Sequence, residues 1–199
     1  GPVDIGDVCR TVHELHAAAA SAKAIELRSR LDLPPTGESS VLTDEVKLFE
    51  IVNNLVSNAL KFTDSGHVEL RVGVRLPASG DLSAAWIDIR VSDTGCGIPT
   101  EDLQRIFLPF FQRTGESHPQ SGGTGLGLAI AQQLVQVLGG EIRVESVVEQ
   151  GSAFFVSLPA KVVEIGRPMR RAEIAAAPAE QRVLHGDTSA LEFAGRRML

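Results

Sequence analysis

The stretch Glu50-Ile51-Val52-Asn53-Asn54-Leu55-Val56-Ser57-Asn58-Ala59-Leu60-Lys61-Phe62-Thr63 narrows the choice of fold more than any other part of this chain. At 3.6 residues per turn, Asn54, Asn58 and Lys61 stand at i, i+4 and i+7 and share one face of a helix. Ile51, Val52, Leu55, Val56 and Leu60 occupy most of the remaining circumference, an apolar stripe wide enough to bury against a sheet. Amide oxygens can serve a hard cation, and an ammonium can neutralise phosphate. A solvated polar face accounts for the same three residues equally well, so this helix alone does not decide the chemistry.

A chain of 199 residues suits one domain of ordinary size with flanking segments. Its apolar fraction of 43% supports a core, and its 22% of charged residues is typical of a soluble protein. The net charge of −6 argues against nucleic acid as a partner, because a phosphate backbone selects a basic surface. No apolar run approaches a membrane span, so no membrane contact is expected of this piece, although a parent protein could be anchored. Gly1-Pro2 reads as a scar of tag removal, and residues 1–4 are set aside from the fold. Cys9 and Cys96 lack metal-like spacing and fit reduced thiols in the cytoplasm.

Helical spacing of Ile5, Val8, Val12, Leu15 and Ala19 predicts a helix over 5–22. Residues 24–31 alternate apolar and polar, as a half-buried strand does, before Pro34-Pro35-Thr36-Gly37 turns the chain. Thr43 or Asp44 is a natural N-cap for the central helix, which runs to about Phe62. Strands are predicted at 67–76 and 85–92, most simply an antiparallel pair, and at 141–147 and 153–158 as a second hairpin. Glu101 to Ile106 reads as a short helix, and a longer one runs from about Leu126 to Leu138, closed by Gly139-Gly140. Pro159 ends the strand pattern, and residues 161–199 read as linker.

Between these elements lie three short motifs. Asp93-Thr94-Gly95-Cys96-Gly97-Ile98 places a carboxylate at a strand end, then two glycines that let a flat ligand approach backbone; a plain Asp-x-Gly turn is the alternative. Phe107, Phe110 and Phe111 read first as packing. The loop from Arg113 is rich in Gly, Ser and Thr and ends in Gly122-Gly123-Thr124-Gly125-Leu126-Gly127 at a helix N-terminus, a setting that favours phosphate. It carries neither the Gly-Lys-Ser/Thr of a P-loop nor a Rossmann register.

In this order and spacing the pieces resemble the catalytic ATP-binding domain of sensor histidine kinases. The superfamily also holds gyrase, a mismatch-repair ATPase and a heat-shock chaperone ATPase. The resemblance covers residues 5–160: Asn54 to Lys61 matches the N box, Asp93 to Ile98 the first glycine box, and Phe107 to Phe111 the F box. Gly123 to Gly127 matches the second glycine box, and Gly151-Ser152-Ala153-Phe154 the last glycine element. It implies an α/β two-layer sandwich of the Bergerat type, a mixed and mostly antiparallel sheet of about five strands under three helices, with an ATP lid.

By the same resemblance, Asp93 receives the adenine amino group, a choice that rejects guanine because guanine offers an oxygen acceptor there. Asn58 holds Mg²⁺, Lys61 sits near the phosphates, and Asn54 supports both. Phe62 flanks the nucleotide, Gly95 and Gly97 let the base lie against backbone, and Gly123, Gly125 and Gly127 cradle phosphate. Ile98, Phe107, Thr124 and Leu126 complete the expected nucleotide contacts. In ATPases of the superfamily a glutamate four residues before the metal-binding asparagine activates water; here that place holds Asn54, which cannot act as a base. The implied activity is therefore transfer of the γ-phosphoryl group to a histidine, with ATP and Mg²⁺ as cofactors. A degenerate nucleotide-binding or scaffolding module, a gyrase-type ATPase and a serine kinase are the alternatives.

The family's phosphoacceptor segment, His-Glu-Leu-Arg-Thr-Pro, is absent; His13-Glu14-Leu15-His16 lacks the continuation. The chain is expected to be a monomeric piece of a longer kinase that works with a histidine-bearing dimerisation domain of the same parent. Arg182 to Asp187 and Leu191 to Leu199 vaguely resemble the start of a receiver domain, with Asp187 its one acid, and linker is the alternative.

Overall fold

The central helix forms because its ends and its faces agree. In the computed structural model, which describes residues 1–34, 37, 39–112 and 124–163, this helix spans Glu45–Phe62 and is the second of three, α2. Asp44 caps it, its carboxylate accepting from the Lys47 N–H at 3.0 Å. Leu48, Ile51, Val52, Leu55, Val56, Ala59 and Leu60 are buried, and together they form the apolar stripe the spacing predicts.

Helix α1 (Ile5–Ala22) lies alongside, and α3 (Gly127–Val137) completes the helical layer. Among the described residues the sheet has seven strands: β1 (Pro2–Asp4), β2 (Glu26–Asp32), β3 (Ser40–Leu42), β4 (His67–Arg75), β5 (Ala85–Asp93), β6 (Glu141–Val147) and β7 (Gly151–Val162). They are ordered β1-β3-β7-β5-β4-β2, with β6 also on β7. Among these strands β2 against β4 is the one parallel pair. The mixed sheet and three-helix layer agree with the expected sandwich.

Strand alternation separates the two faces. Val68, Leu70, Val72, Val74, Ile87, Ile89, Val91, Phe154, Val156 and Leu158 are buried under the helices. On the other face, register aligns Arg30, Arg71, Arg90, Phe155 and Arg143 in one row. Arg71 pairs with Glu69 at 2.9 Å, Arg75 with Asp88 at 2.6 Å, and the Arg143 guanidinium stacks 3.8 Å from the Phe155 ring centroid. So charged a face suits solvent, and the described residues form two layers.

Four expectations are corrected. Residues 2–4, set aside above, form β1 against β3, with Val3 5% exposed and Asp4 capping α1 through the Gly6 N–H at 2.7 Å. The sheet thus has seven strands rather than about five, since β1 and β3 are too short to show a period. Pro159 does not end the pattern: β7 runs on to Val162, past the expected boundary at 160. Its second flank is taken by β6 as far as Ser157 and by β3 from Lys161, so Pro159 falls in the gap between them, where a strand tolerates a residue without an N–H. In place of the short helix at 101–106 there are two 3₁₀ turns, Thr100–Asp102 and Arg105–Phe107, because so few residues cannot repay helix nucleation.

The lid from Arg113 to Gly123, the turn at Pro35-Thr36 and the receiver-like residues 182–199 lie outside the described residues. No helix among the described residues is long and apolar enough to cross a membrane.

Helix α1 closes in a Schellman arrangement: the Ile25 N–H donates to the Ala20 carbonyl at 2.9 Å and the Ala24 N–H to Ser21 at 3.0 Å. The left-handed position falls on Ala24, φ 54°, where glycine is the usual occupant. An Ala24→Gly variant should gain about 0.5–1 kcal/mol, read as a higher midpoint in chemical denaturation.

Candidate functional site

Burial of its apolar stripe leaves α2 one polar face, and Asn54, Asn58 and Lys61 are half-buried along it. The Asn54 amide donates to the Glu50 carbonyl at 2.9 Å. That bond turns its oxygen toward α3, where a Cβ added to Gly127 would stand 3.1 Å from it. A larger first residue in α3 would therefore crowd the helix that carries the site. One turn on, the Asn58 carboxamide makes no hydrogen bond among the described residues. The Lys61 ammonium lies 4.9 Å from the centroid of the Phe62 ring, which is 36% exposed.

Asp93 ends β5. One carboxylate oxygen, Oδ1, accepts from the Gly95 N–H at 2.9 Å and from the Ser152 N–H at 3.3 Å. The other, Oδ2, has no partner among the described residues and is available to a ligand. Burial pushes the Asp93 carboxyl above its ordinary value of 3.8, and the Gly95 and Ser152 N–H groups pull against that rise.

Three glycines set this geometry. A Cβ on Gly95 would overlap the Phe62 carbonyl oxygen, so only glycine lets the loop rest on the end of α2. Gly97, at φ +70°, faces the Val147 carbonyl, and Gly151, at φ +104°, faces that of Asp93. The loop is held from two other sides. The Thr94 hydroxyl accepts from the His67 N–H at 3.0 Å, and the Ser146 hydroxyl accepts from the Ile98 N–H at 2.8 Å while donating to the Gly151 carbonyl at 2.9 Å.

Of the remaining expected residues, Ile98 and Phe107 are half-buried and pack on the core. Thr124 is exposed, Gly125 takes φ +70° with its carbonyl accepting from the Phe110 N–H at 3.0 Å, and Leu126 stands at the N-cap of α3. Gly123 lies outside the described residues. The fold therefore gathers Asn54 with Gly127, and Phe62 with Gly95 and Asp93, from α2, α3, β5 and the loop that follows β5. Thr94, Ser146 and Lys23, whose ammonium donates to the Leu60 carbonyl at the end of α2 at 2.7 Å, went unnoticed in the sequence. Thr94 sits between Asp93 and Gly95 and could have been read as a turn-fixing hydroxyl; Ser146 and Lys23 carry no local signal.

No group of three or more His, Cys, Asp or Glu among the described residues could hold a metal ion. A cation here could take one amide oxygen, that of Asn58, with the rest of its shell from phosphate and water. Mg²⁺ is commonly bound in this way, so the residues present fit it.

Residues 43–162 match the family described as histidine kinase-, DNA gyrase B-, and HSP90-like ATPase. The chain is 38% identical over 162 residues to the autoinducer 2 sensor kinase/phosphatase LuxQ of Vibrio parahaemolyticus, covering 80% of this chain and 18% of that protein. It is 36% identical over 159 residues to the sensor histidine kinase GacS of Pseudomonas protegens, covering 79% and 17%. Full-length ShkA, solved in complex with AMPPNP, matches with a TM-score of 0.68 at 32% identity, over 82% of this chain and 31% of that one. The chain thus spans less than a fifth of the length of these curated relatives.

An Asp93→Asn variant keeps the acceptor for the Gly95 and Ser152 N–H groups but removes the ionisable group. With its pKa raised by burial, folded Asp93 holds its proton over a pH interval in which the unfolded chain has released it. Wild-type stability should therefore fall as pH rises from the ordinary carboxylate value through the raised one, and the variant should escape that fall. Thermal unfolding from about pH 4 to about pH 8 should show the variant's lead over wild type widening with pH and then levelling.

Proposed function

Since this chain belongs to the histidine kinase-, DNA gyrase B-, and HSP90-like ATPase family, we propose that its site binds Mg-ATP and passes the γ-phosphoryl group to a histidine on a separate domain of its parent protein. One observation carries the reading: Asp93 presents an unclaimed carboxylate oxygen beside a glycine loop that rests on the end of α2, close to Lys61 and Phe62. A half-buried carboxylate with one open oxygen accepts the amino group of adenine and meets the oxygen of guanine as a second acceptor. Phe62 offers a ring to the base. Lys61 supplies positive charge to the phosphates, and the N-terminus of α3 supplies N–H groups and the positive end of its dipole.

Asn58 would hold Mg²⁺, which when bound offsets phosphate charge. Phosphoryl transfer asks the protein mainly for alignment and charge neutralisation, and these residues provide both. Hydrolysis asks for a base on water. Asn54 stands at that place with its amide committed to the Glu50 carbonyl, and Glu50 itself is exposed. Without a base there, the incoming nucleophile must attack without first losing a proton, as the unprotonated nitrogen of a neutral histidine does.

The partners follow from this reading. They are a histidine-bearing dimerisation domain of the same parent and a downstream or fused receiver, with the chain itself monomeric and cytoplasmic.

Calorimetric titration tests the proposal. Wild type should bind ATP and ADP with Mg²⁺ in the micromolar to sub-millimolar range, and GTP should give no heat. Asp93→Ala should lose on the order of 10- to 100-fold in affinity, the worth of one charge-assisted hydrogen bond. Affinity should also weaken on acidification through the raised Asp93 pKa, since the protonated carboxyl is a poorer acceptor. Added to its dimerisation domain, the chain should label a histidine, and Asn54→Glu should divert phosphoryl to water. A folded chain that binds no adenine nucleotide would leave the degenerate module as the better reading.

A further inference from the structure

We propose that Lys23 is a positioning residue for the nucleotide site, holding the end of α2 where it presents Lys61 and Phe62; this rests on the reading of the site as an ATP pocket. Helix α2 ends without a left-handed residue: its C-cap, Thr63, is extended at φ −105° and ψ 124°. The backbone bonds of a Schellman closure are therefore unavailable, and the last carbonyls need donors from elsewhere. Lys23, the C-cap of α1, supplies most of them. Its ammonium donates to the carbonyls of Leu60 at 2.7 Å, Lys61 at 3.3 Å and Thr63 at 2.9 Å.

The two carbonyls it leaves are met separately. The Thr63 hydroxyl donates to Ala59 at 2.8 Å, and the Cys96 N–H donates to Phe62 at 3.3 Å. Five successive carbonyls are thus satisfied, three of them by one side chain. Lysine suits the place because it has three donors on a flexible stem and puts a positive charge at the negative end of the helix dipole.

What hangs on this cap is the pocket. The Lys61 carbonyl is one of its acceptors, while that of Phe62 takes the Cys96 N–H and is the surface on which Gly95 rests. Fraying of the last turn would move Lys61, Phe62 and the glycine loop together. Lys23 touches no reacting group and acts through these three. Alignment losses of this kind appear in nucleotide affinity, beyond any general loss of stability.

The experiment titrates Mg²⁺ with a non-hydrolysable ATP analogue into the whole chain as wild type, Lys23→Met and Lys23→Arg. Val74→Ala is the comparison variant, a buried residue near the end of β4 remote from Asp93 that loses stability without touching the pocket. Lys23→Met should bind about tenfold more weakly, Lys23→Arg should recover to within about threefold, and Val74→Ala should bind as wild type. Amide exchange at residues 60–63 should quicken in Lys23→Met alone. Should Lys23→Met fail to fold, Lys23→Gln makes the same comparison. Equal affinity in wild type and the Lys23 variant overturns the proposal and leaves the ATP site standing, as does an equal loss in Val74→Ala. A folded wild type that binds no nucleotide overturns both.

Discussion

Helix α2 has to bury one side completely while keeping the other open, and the rest of the molecule accommodates that division. Each large aliphatic side chain on its buried side is worth about 1.5–3 kcal/mol. Six of the seven buried residues are of that size, so the sum is on the order of the whole net stability of a domain. The helix cannot rotate about its axis without exposing that stripe and burying two amides and an ammonium. Its polar face is therefore fixed in direction before any ligand is considered, and the sheet, with its charged outer face, has one side left to offer it.

Around that fixed face the loops are set by close backbone approach. Gly95 rests on the Phe62 carbonyl, Gly97 on that of Val147, and Gly151 on that of Asp93. Together they draw β5, the end of α2 and the β6–β7 hairpin to one point. There Asp93 is desolvated enough to raise its pKa, at a cost to folding, yet one of its oxygens makes no internal bond. A core built only for stability would prefer the amide. In the proposed function the carboxylate at this position serves a ligand.

The chemistry assigned to the site is likewise a matter of position. In the proposed function Asn54, Asn58 and Lys61 hold, orient and neutralise, and none of them takes a proton from the nucleophile. A transfer whose transition state needs alignment and charge more than proton abstraction is suited to such a set. The capped end of α2 matters for the same reason: its last turn carries both the ammonium and the ring of the pocket.

Much of this was legible in the sequence, where the physics is local. Asp44 as a cap, the 3.6-residue period of α1 and α2, and the alternation of β4, β5 and β6 depend on neighbours within a turn or a strand, so they can be read from spacing. Asn54, Asn58, Lys61, Asp93, Gly95 and Gly97 were singled out as candidates too, because their order and intervals resemble a known family. Other features depend on what comes close in space. Val3 and Val41 are core residues on strands of three residues each, too short to carry a period. Pro159 sits inside β7 because β6 stops and β3 starts on either side of it. Lys23 stands 37 residues before the Leu60 carbonyl it caps, and Ser146 lies 48 residues after the Ile98 N–H it receives. The sequence alone determined which faces are apolar and which residues are candidates for chemistry. Tertiary structure decided which backbone groups lack a partner and which distant side chain supplies it, because those vacancies exist only once the ends of the elements have met.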